Sequence, residues 1–556
     1  MSLLFVEISC EEIPARLQVD SIKALHSRLM DGLSEAGFSP VAGRSAISPR
    51  HMAVEITGLE ARLADRVSER RGPRSDAPDK AIDGFCQSAG LTREALHVRE
   101  TDKGSFLFAN VTETGAVLAE ILVPLINNVI NQFPWPKSQR WSRSTVTWVR
   151  PLRSVSVLVD GAAIEGEVIL GGGMVMPFGT QALGHPFYPH DPIQLSDFDS
   201  YLGDMKAAHV IVDAESRRED IMRQSGKLAD THGIELVPDE GLLREVTGLV
   251  EWPHAILGRI QPEFMELPAE VLVTSMRVHQ KFFATRYPEG HEKSGQLAPY
   301  FLTIANRDCN ADQVALIATG NERVLKARLA DAAFFWHQDS MTPLETLLPK
   351  LGSVAFFDGL GTVAQKADRL ANLAGQFAHY LAGCNEADAV RAAHLSKADL
   401  LTGMVGEFPE LQGIMGGYYA ASGDETAAVS QAISDHYRPQ GPSDNLPHSS
   451  EGYAVSLADK LDTLTGFFGT DQKPTGSRDP YALRRAALGI LRIMDEADIA
   501  LPLDKLMKHA ADLYHFDDSD EDLPGFFRER LRVVLRNKDI AHDVVSAVLG
   551  CHDGIG

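Results

Sequence analysis

Apolar residues follow two rhythms along this chain, and the rhythm changes near its middle. Leu3-Leu4-Phe5-Val6-Glu7-Ile8 opens as a strand, its apolar run broken only at Glu7. From Leu17 to Ala36 the period lengthens to that of a helix, closed by Gly37. Strand patterns return at Met52 to Ile56, Ser154 to Val159, Val168 to Leu170, His209 to Val212 and Pro299 to Ala305, and Asp213 to His232 reads as a long polar helix. This first half is therefore expected to be α+β and to contain more than one domain. Beyond Asn321, which can cap a helix, Val324, Leu325, Leu329, Ala332 and Phe335 recur at helical spacing. Segments 361–383, 386–405, 425–437 and 452–468 repeat that pattern, so the second half is expected to be mostly α. Loops are predicted at Gly441-Pro442 and at Pro474 to Ser477. Asp479-Pro480 starts a helix whose apolar stripe is Leu483, Ala487, Ile490 and Met494. An acidic linker at Asp517 to Asp522 precedes a basic amphipathic helix over Phe526 to Arg536.

Composition narrows the function classes. A chain of 556 residues with 44% hydrophobic and 23% charged side chains has enough material for several globular domains. Its net charge of −23 excludes a protein that coats nucleic acid or anionic membrane with its whole surface, so any polyanion must meet a local basic patch. The 5 cysteines, Cys10, Cys86, Cys309, Cys384 and Cys551, are scattered without a Cys-x-x-Cys pair, which fits a reducing compartment. No run of 18 apolar residues occurs, and the expectation is a cytoplasmic chain without a membrane anchor.

The chain has no P-loop, no GxGxxG turn, no His-Glu-x-x-His helix and no Gly-x-Ser-x-Gly elbow. Gly171 to Gly173 lacks the third glycine of a dinucleotide turn and reads as a bend in a sheet. No catalytic residue and no metal ligand is assigned. A chain of this kind could position a substrate whose chemistry happens elsewhere.

Four groups of residues carry what chemistry there is. Lys137, Arg140, Arg143, Arg150 and Arg153 form an acid-free stretch interleaved with Trp135, Trp141 and Trp148, three of the 5 tryptophans. Cations meet phosphates and indoles stack on bases, so the pattern suits RNA; it equally suits tryptophan core anchors beneath a solvated basic face. Arg323 and Lys326 share one helical face and could meet phosphate, a partner subunit, or Glu322 and Asp331. Arg484 and Arg485, with Arg492 seven residues beyond Arg485, offer a further basic surface or a plain solvated face. Finally His394, Lys397-Ala398-Asp399 and Ala458-Asp459-Lys460-Leu461-Asp462 have spacings similar to those of the all-α His-Asp phosphohydrolase fold. That metal site needs an adjacent His-Asp pair, and here the pair is Ala398-Asp399, with lysines at 397 and 460 where a cation would sit. The His-Asp dipeptides at 190–191, 542–543 and 552–553 lack the surrounding pattern. A degenerate helical scaffold without metal is expected.

Taken in order, several signatures resemble the β subunit family of bacterial-type glycyl-tRNA synthetase. They run from Phe5-Val6-Glu7-Ile8, Glu11-Glu12-Ile13-Pro14, Ser48-Pro49-Arg50, Arg71-Gly72-Pro73, Thr101-Asp102-Lys103-Gly104 and Val149-Arg150-Pro151 to Leu249-Val250-Glu251-Trp252-Pro253 and Gln280-Lys281-Phe282-Phe283. Gly320-Asn321-Glu322-Arg323-Val324, Ala458-Asp459-Lys460-Leu461-Asp462-Thr463 and Arg478-Asp479-Pro480-Tyr481 continue the match to nearly the whole chain. The resemblance implies an α₂β₂ heterotetramer in which the α subunit holds the class II active site and uses ATP and Mg, while this chain binds no cofactor and recognises tRNA(Gly). It also implies RNA-binding modules related to the body and tail of a tRNA-tailing enzyme, then the degenerate His-Asp-type domain. Two departures stand out: the chain is short for the family between Arg71-Gly72-Pro73 and Phe85, and Phe526 to Leu549 supplies only the beginning of a C-terminal anticodon-binding domain.

The expected organisation is an α+β RNA-binding-like module at 1–170, a second α+β module at 171–335, a helical degenerate His-Asp-type domain at 336–515 and the start of an anticodon-binding helical domain at 516–556. The expected tRNA contacts are Lys137, Arg140, Arg143, Arg150, Arg153, Arg323, Lys326, Arg484 and Arg485. Two rivals are a stand-alone metal phosphohydrolase built on the helical half and a pure assembly module.

Overall fold

The computed structural model describes residues 1–102, 104–476, 478–516, 522–538, 540 and 543–545. It is mixed α/β, and its residues fall into two compact units, Met1–Arg259 with Lys281–Asn321, and Ile260–Gln280 with Glu322–Gly556.

In the first unit the opening strand is the centre of an antiparallel sheet. Strand β1 (Ser2–Cys10) is followed by helix α1 (Ala15–Glu35), β2 (Ala42–Ile47), β3 (His51–Leu59) and β4 (Arg66–Arg74). Next come α2 (Asp79–Ala89), β5 (Leu96–Thr101), β6 (Gly104–Glu113), α3 (Leu118–Asn131), β7 (Leu152–Val159) and β8 (Ala162–Ala163). The main sheet runs β2-β3-β1-β7-β8. Strand β1 lies between two neighbours and is buried on both faces, which is why its sequence is apolar at consecutive positions. Leu4, Val6, Ile8 and Cys10 enter one core with Leu25 and Leu29 of α1 and Leu122 and Ile126 of α3, while Phe5 enters a second core.

That second core is closed by α4 (Phe198–Ala207), which contributes Phe198, Tyr201 and Met205. Between the two lie the hairpin β9 (Glu167–Gly171) and β10 (Met174–Pro177) and the short pair β11 (Gln181–Ala182) and β12 (Ile193–Gln194). Gly171, Gly172 and Gly173 all have positive φ and form the turn of that hairpin, the bend the sequence predicts. Helix α5 (Ala214–Thr231) begins at Asp213, whose carboxylate accepts the Ser216 amide at 2.7 Å. After it come β13 (Glu235–Leu236), α6 (Glu240–Thr247), β14 (His254–Arg259), α7 (Ala269–Ser275), β15 (Phe283–Arg286) and β16 (Leu297–Ala305). The strands form a sheet in the order β13-β15-β16-β14. Strands β4, β6 and β5 make a separate three-stranded sheet.

Two expectations are corrected here. His209 to Val212 is not a strand: His209 turns with φ 62, and Val210 and Val212 are buried as a plug, with the Ile211 amide bonded to the Glu251 carbonyl. Asn321 does not cap a helix, because α8 (Ala311–Ser340) starts ten residues earlier, where Asn310 and Gln313 exchange reciprocal hydrogen bonds at 2.9 and 3.0 Å.

The second unit, to which α7 belongs, is helical apart from the small pair β17 (Ala355–Phe357) and β18 (Gly361–Thr362). Its helices are α9 (Val363–Ala378), α10 (Glu386–Leu395), α11 (Gly403–Glu407), α12 (Ile414–Ser422), α13 (Ala427–Asp435) and α14 (Ser450–Gly469). Helices α15 (Leu483–Glu496), α16 (Leu503–Tyr514) and α17 (Asp522–Asn537) complete it. The helix predicted over 386–405 is broken: α10 ends at Leu395, a 3₁₀ turn spans Ala398–Leu401, and Thr402 then caps α11. Most of the acidic linker, 517–521, lies outside the described residues, as do His542 and 552–553, whereas Asp522 already belongs to α17. No helix of the described residues is long and apolar enough to cross a membrane.

Charge is buried in the first unit as well as hydrocarbon. Glu251, 1% exposed, accepts Ser48 Oγ at 2.8 Å and Arg50 Nε at 3.0 Å, and its own amide bonds to Asn306 Oδ1 at 2.7 Å. Burial alone would raise its pKa; the charges of His51 and Arg50 outweigh that and hold it below the usual carboxylate value. A carboxylate so depressed stabilises the fold above its unfolded value, and that contribution is lost as acid protonates it. Glu251→Gln is expected to cost about 3–5 kcal/mol at pH 7, the usual loss for breaking a buried pair. Urea melts of the two proteins should converge as the pH falls below about 4.5; a gap that stays constant with pH would contradict the assignment.

Candidate nucleic-acid interface

The tryptophan-arginine stretch divides its labour between core and solvent. Trp148 is fully buried, Trp135 stands edge-on to it at 5.1 Å, and Phe133 lies tilted against both at 4.7 and 4.8 Å. Trp141 also packs against the main core. The indoles thus anchor the segment, Trp148 from within the core and Trp135 and Trp141 half-buried against it. Lys137, Arg140 and Arg143 project from this anchored loop into solvent, and no hydrogen bond or ion pair engages them among the described residues. Arg153 is instead held by Glu11, at 2.6 and 2.9 Å, and Arg150 bonds only its neighbour's Val149 carbonyl at 3.4 Å.

The other four sequence-selected cations belong to the second unit. Arg323 and Lys326 are exposed on α8, whose buried side carries Leu325, Leu329 and Ala332. Arg484 donates to the Gly476 carbonyl at 2.7 Å, so its guanidinium ties a loop to α15. That helix starts at Leu483 rather than at Pro480: Ala482 adopts φ 57, and the Asp479 carboxylate accepts the amides of Leu483 and Arg484, both at 2.9 Å. Arg485 is exposed and lines a cleft of about 540 Å³ together with Tyr437, Tyr481, Asp459 and Lys460. The structure therefore brings the nine cations together only as local groups, three free in the first unit and Arg485 beside a cleft in the second.

Beside that cleft lies a cluster of buried charges. Helix α9 contributes Lys366 and Arg369, the break after α10 contributes Lys397 and Asp399, and α14 contributes Asp459, Lys460 and Asp462. Lys366 Nζ is 3.0 Å from Asp459 Oδ1 and 2.9 Å from Asp462 Oδ2, Lys397 Nζ is 3.1 Å from Asp459 Oδ1, and Arg369 Nε is 2.6 Å from Asp462 Oδ1. Lys397 also donates to His436 Nε2 at 2.8 Å, while His436 Nδ1 donates to the Ile433 carbonyl at 2.6 Å. Burial drives the His436 pKa well down, and Lys397 adds to that, so the ring is neutral and can accept from the ammonium. Burial would raise Asp459, but Lys366 and Lys397 overcome it and hold the carboxylate well below its ordinary range.

These are the positions the sequence compares with a metal site, and they are filled by protein cations. Asp399 is turned away to accept the amides of Gly413 at 2.5 Å and Gly416 at 3.0 Å, and burial raises its pKa to about 6. His394 sits outside the cluster, its Nδ1 3.8 Å from Asp368. No group of three or more His, Cys, Asp or Glu that could hold a metal occurs among the described residues. Lys460, pushed down to about 8 by burial, spends its protons on the carbonyls of Tyr437 and Arg438 and on Ser456 Oγ. Sequence reading missed Lys366 and Arg369. Their signal was present, because they fall in phase with the apolar stripe Val363, Leu370, Leu373 and Phe377.

The exposed cations Lys137, Arg140 and Arg143 thus stand on an acidic chain that carries no nucleotide-activating motif. Comparison with known proteins gives the family. A sequence profile described as glycyl-tRNA synthetase beta subunit matches residues 4–550, and the chain belongs to that family. It is 42% identical over 575 residues to the glycine–tRNA ligase beta subunit of Rhodospirillum centenum, covering 99% of this chain and 80% of that protein. To the beta subunits of Paracoccus denitrificans and Phenylobacterium zucineum it is 44% identical, covering 98% and 100% of this chain and 78% and 79% of theirs. The chain thus belongs with the enzyme that makes glycyl-tRNA, as its beta subunit.

Removing one side of the buried ion cluster strands the other. Lys397→Met and Asp459→Asn are each expected to cost about 3–5 kcal/mol in chemical denaturation, and the double variant less than the two together by about 1–3 kcal/mol. Simple additivity would mean that the two groups do not pair.

Proposed function

We propose that this chain grips tRNA(Gly) and aims its acceptor end at a class II active site in a partner α subunit, within an α₂β₂ assembly in the cytoplasm. Glycine activation with ATP and magnesium belongs to that partner, and this chain contributes orientation, which can remove a large entropic barrier from the transfer step. The observation that carries the reading is the set of three cations, Lys137, Arg140 and Arg143, without a partner among the described residues, on a loop pinned by aromatic rings against the core in a chain of net charge −23. Phosphates would bind there, with Arg150, Arg153, Arg323, Lys326, Arg484 and Arg485 as further contacts. The proposed modules are 1–170 and 171–335 for the α+β part, 336–515 for a degenerate His-Asp-type domain, and 516–556 for the beginning of an anticodon-binding helical domain.

The buried cluster supports the degenerate reading of the helical part over a stand-alone phosphohydrolase. Lysine ammonium groups neutralise Asp459 where a phosphohydrolase would need an open metal position, and an ammonium cannot bind and activate water as a metal does.

Mixing the chain with its cognate α subunit and assaying glycine attachment to tRNA, with each component alone as control, tests the division of labour; glycylation by either component alone at the full rate would overturn it. Replacing both Arg140 and Arg143 by Gln should reduce the slope of log affinity against log salt by about one to two units. An unchanged slope would move the phosphate contacts elsewhere and leave this chain as an assembly module at that surface.

A further inference from the structure

The cleft of about 540 Å³ in the second unit lies within the size range of small-ligand sites, and its lining offers three kinds of group. Helix α14 supplies Asp459 and Lys460, α15 with the turn before it supplies Arg485 and Tyr481, and the 3₁₀ turn Pro409–Leu411 supplies Glu410. Asp459 is the buried acid. Its Oδ1 is sealed from solvent and shared by Lys366 at 3.0 Å and Lys397 at 3.1 Å. No hydrogen bond engages Oδ2 among the described residues, and Asp459 keeps only 8% exposure while lining the cleft. One ionised acceptor, nine-tenths out of water, is thus left open to a ligand hydroxyl.

The cations of the cleft differ in what they can give. Lys460 has none to spare: its protons go to the Tyr437 and Arg438 carbonyls and to Ser456 Oγ, and a Cβ at Gly489 of α15 would lie 2.8 Å from its Cε. Arg485, one helical turn before Gly489, is exposed, and no hydrogen bond or ion pair engages it among the described residues. Glu410, the other acid of the lining, belongs to the 3₁₀ turn and not to α15. The two tyrosines differ likewise. Tyr437 is occupied, with Lys397 over its ring at 3.8 Å and its hydroxyl bonded to Gln412 at 3.0 Å. Tyr481 is braced on one face by Phe467, with ring centroids 4.2 Å apart, and its half-buried ring lines the cleft.

We propose that this cleft binds a nucleoside 5′-monophosphate with a free 2′,3′-diol, the base stacking on Tyr481, the diol donating to Asp459 Oδ2 and the phosphate meeting Arg485. A nucleotide carries a flat ring, a pair of hydroxyls and a phosphate in one molecule, whereas a sugar phosphate lacks the ring and a nucleoside lacks the anion. Binding alone is involved, with no bond made or broken. The site goes beyond the tRNA reading, in which Arg485 meets a backbone phosphate, because a nucleotide inside an RNA strand has no free diol.

Titration calorimetry of the full chain with AMP, GMP, CMP and UMP tests the site. At least one of them is expected to bind one-to-one, and that ligand can then be pared down without disturbing the fold. Its nucleoside and its 2′,3′-dideoxy form should each bind about ten- to a hundredfold more weakly, and ribose 5-phosphate about five- to a hundredfold more weakly. Asp459→Asn would strand Lys366 and Lys397, so the diol is tested from the ligand's side. Arg485→Gln, at an exposed position, should weaken the nucleotide about tenfold or more and leave both the nucleoside's affinity and the melting temperature unchanged. Binding of none of the four, equal affinity for the nucleotide and its dideoxy form, or an unchanged affinity in Arg485→Gln would each overturn the site. Glycylation and tRNA binding by the complex with the α subunit report on the main reading, and they stand or fall without this cleft being filled by a free nucleotide.

Discussion

A carboxylate taken out of water must be met by a cation, and each unit of this chain is organised around that requirement. In the first, Glu251 draws in Arg50 and Ser48 from the turn before β3, while its amide is fixed by Asn306 just after β16. The two larger sheets of the unit are thereby tied through one buried residue. In the second, Asp459 and Asp462 on α14 collect Lys366 and Arg369 from α9 and Lys397 from the break after α10. Neither arrangement is an economical way to gain stability, since hydrophobic pairs of the same volume often do as well. They fix which segments meet, because any other pairing would leave a charge stranded.

The second cluster also constrains chemistry. A divalent metal offers an exchangeable position at which water can lose a proton; the Lys366 ammonium, held by Asp459 and Asp462, and the Lys397 ammonium, held by Asp459 and the neutral His436 ring, offer none. Asp399 makes the same point from the other side. Its Oδ2 accepts the amides of Gly413 and Gly416 and so holds the turn before α12. Its raised pKa, about 6, follows from burial and means that the folded state gains stability as it takes up a proton between about 6 and 3.8, the opposite sense to Glu251.

How far the sequence could be read depended on whether the signal was local. Strand β1 and helix α5 were legible because an apolar run and an Asp213 cap are complete within a few residues. The plug at His209 to Val212 misled because burial in a loop and burial in a strand select the same residues. The sheet β4-β6-β5 was invisible: Arg66-Val67-Ser68-Glu69-Arg70-Arg71 is mostly polar on both faces, so it has no period-2 apolar pattern to detect. For the candidate site, the sequence located the basic stretch but left two roles open for its tryptophans. Only the packing of Phe133, Trp135 and Trp148 shows those rings turned onto the core and the cations left to solvent. That Lys366 and Lys397 would meet at Asp459 could not be read, since 93 residues separate Lys366 from Asp459 and no local rule links them.

On the proposed role, an acidic chain that binds an acidic substrate gains discrimination from its own unfavourable field. At physiological salt, charges are screened beyond roughly 8 Å, so a phosphate approaching most of this surface meets weak repulsion and nothing to hold it. The proposed attachment would be favourable only where cations stand clear of carboxylates, as Lys137, Arg140 and Arg143 do among the described residues and as Arg153, paired with Glu11, does not. A uniformly basic protein would bind any RNA in many poses. A few free cations on a rigid, aromatic-anchored loop permit few poses, and for a chain whose proposed contribution is to aim another molecule's end, restricting the pose matters more than tightening the grip.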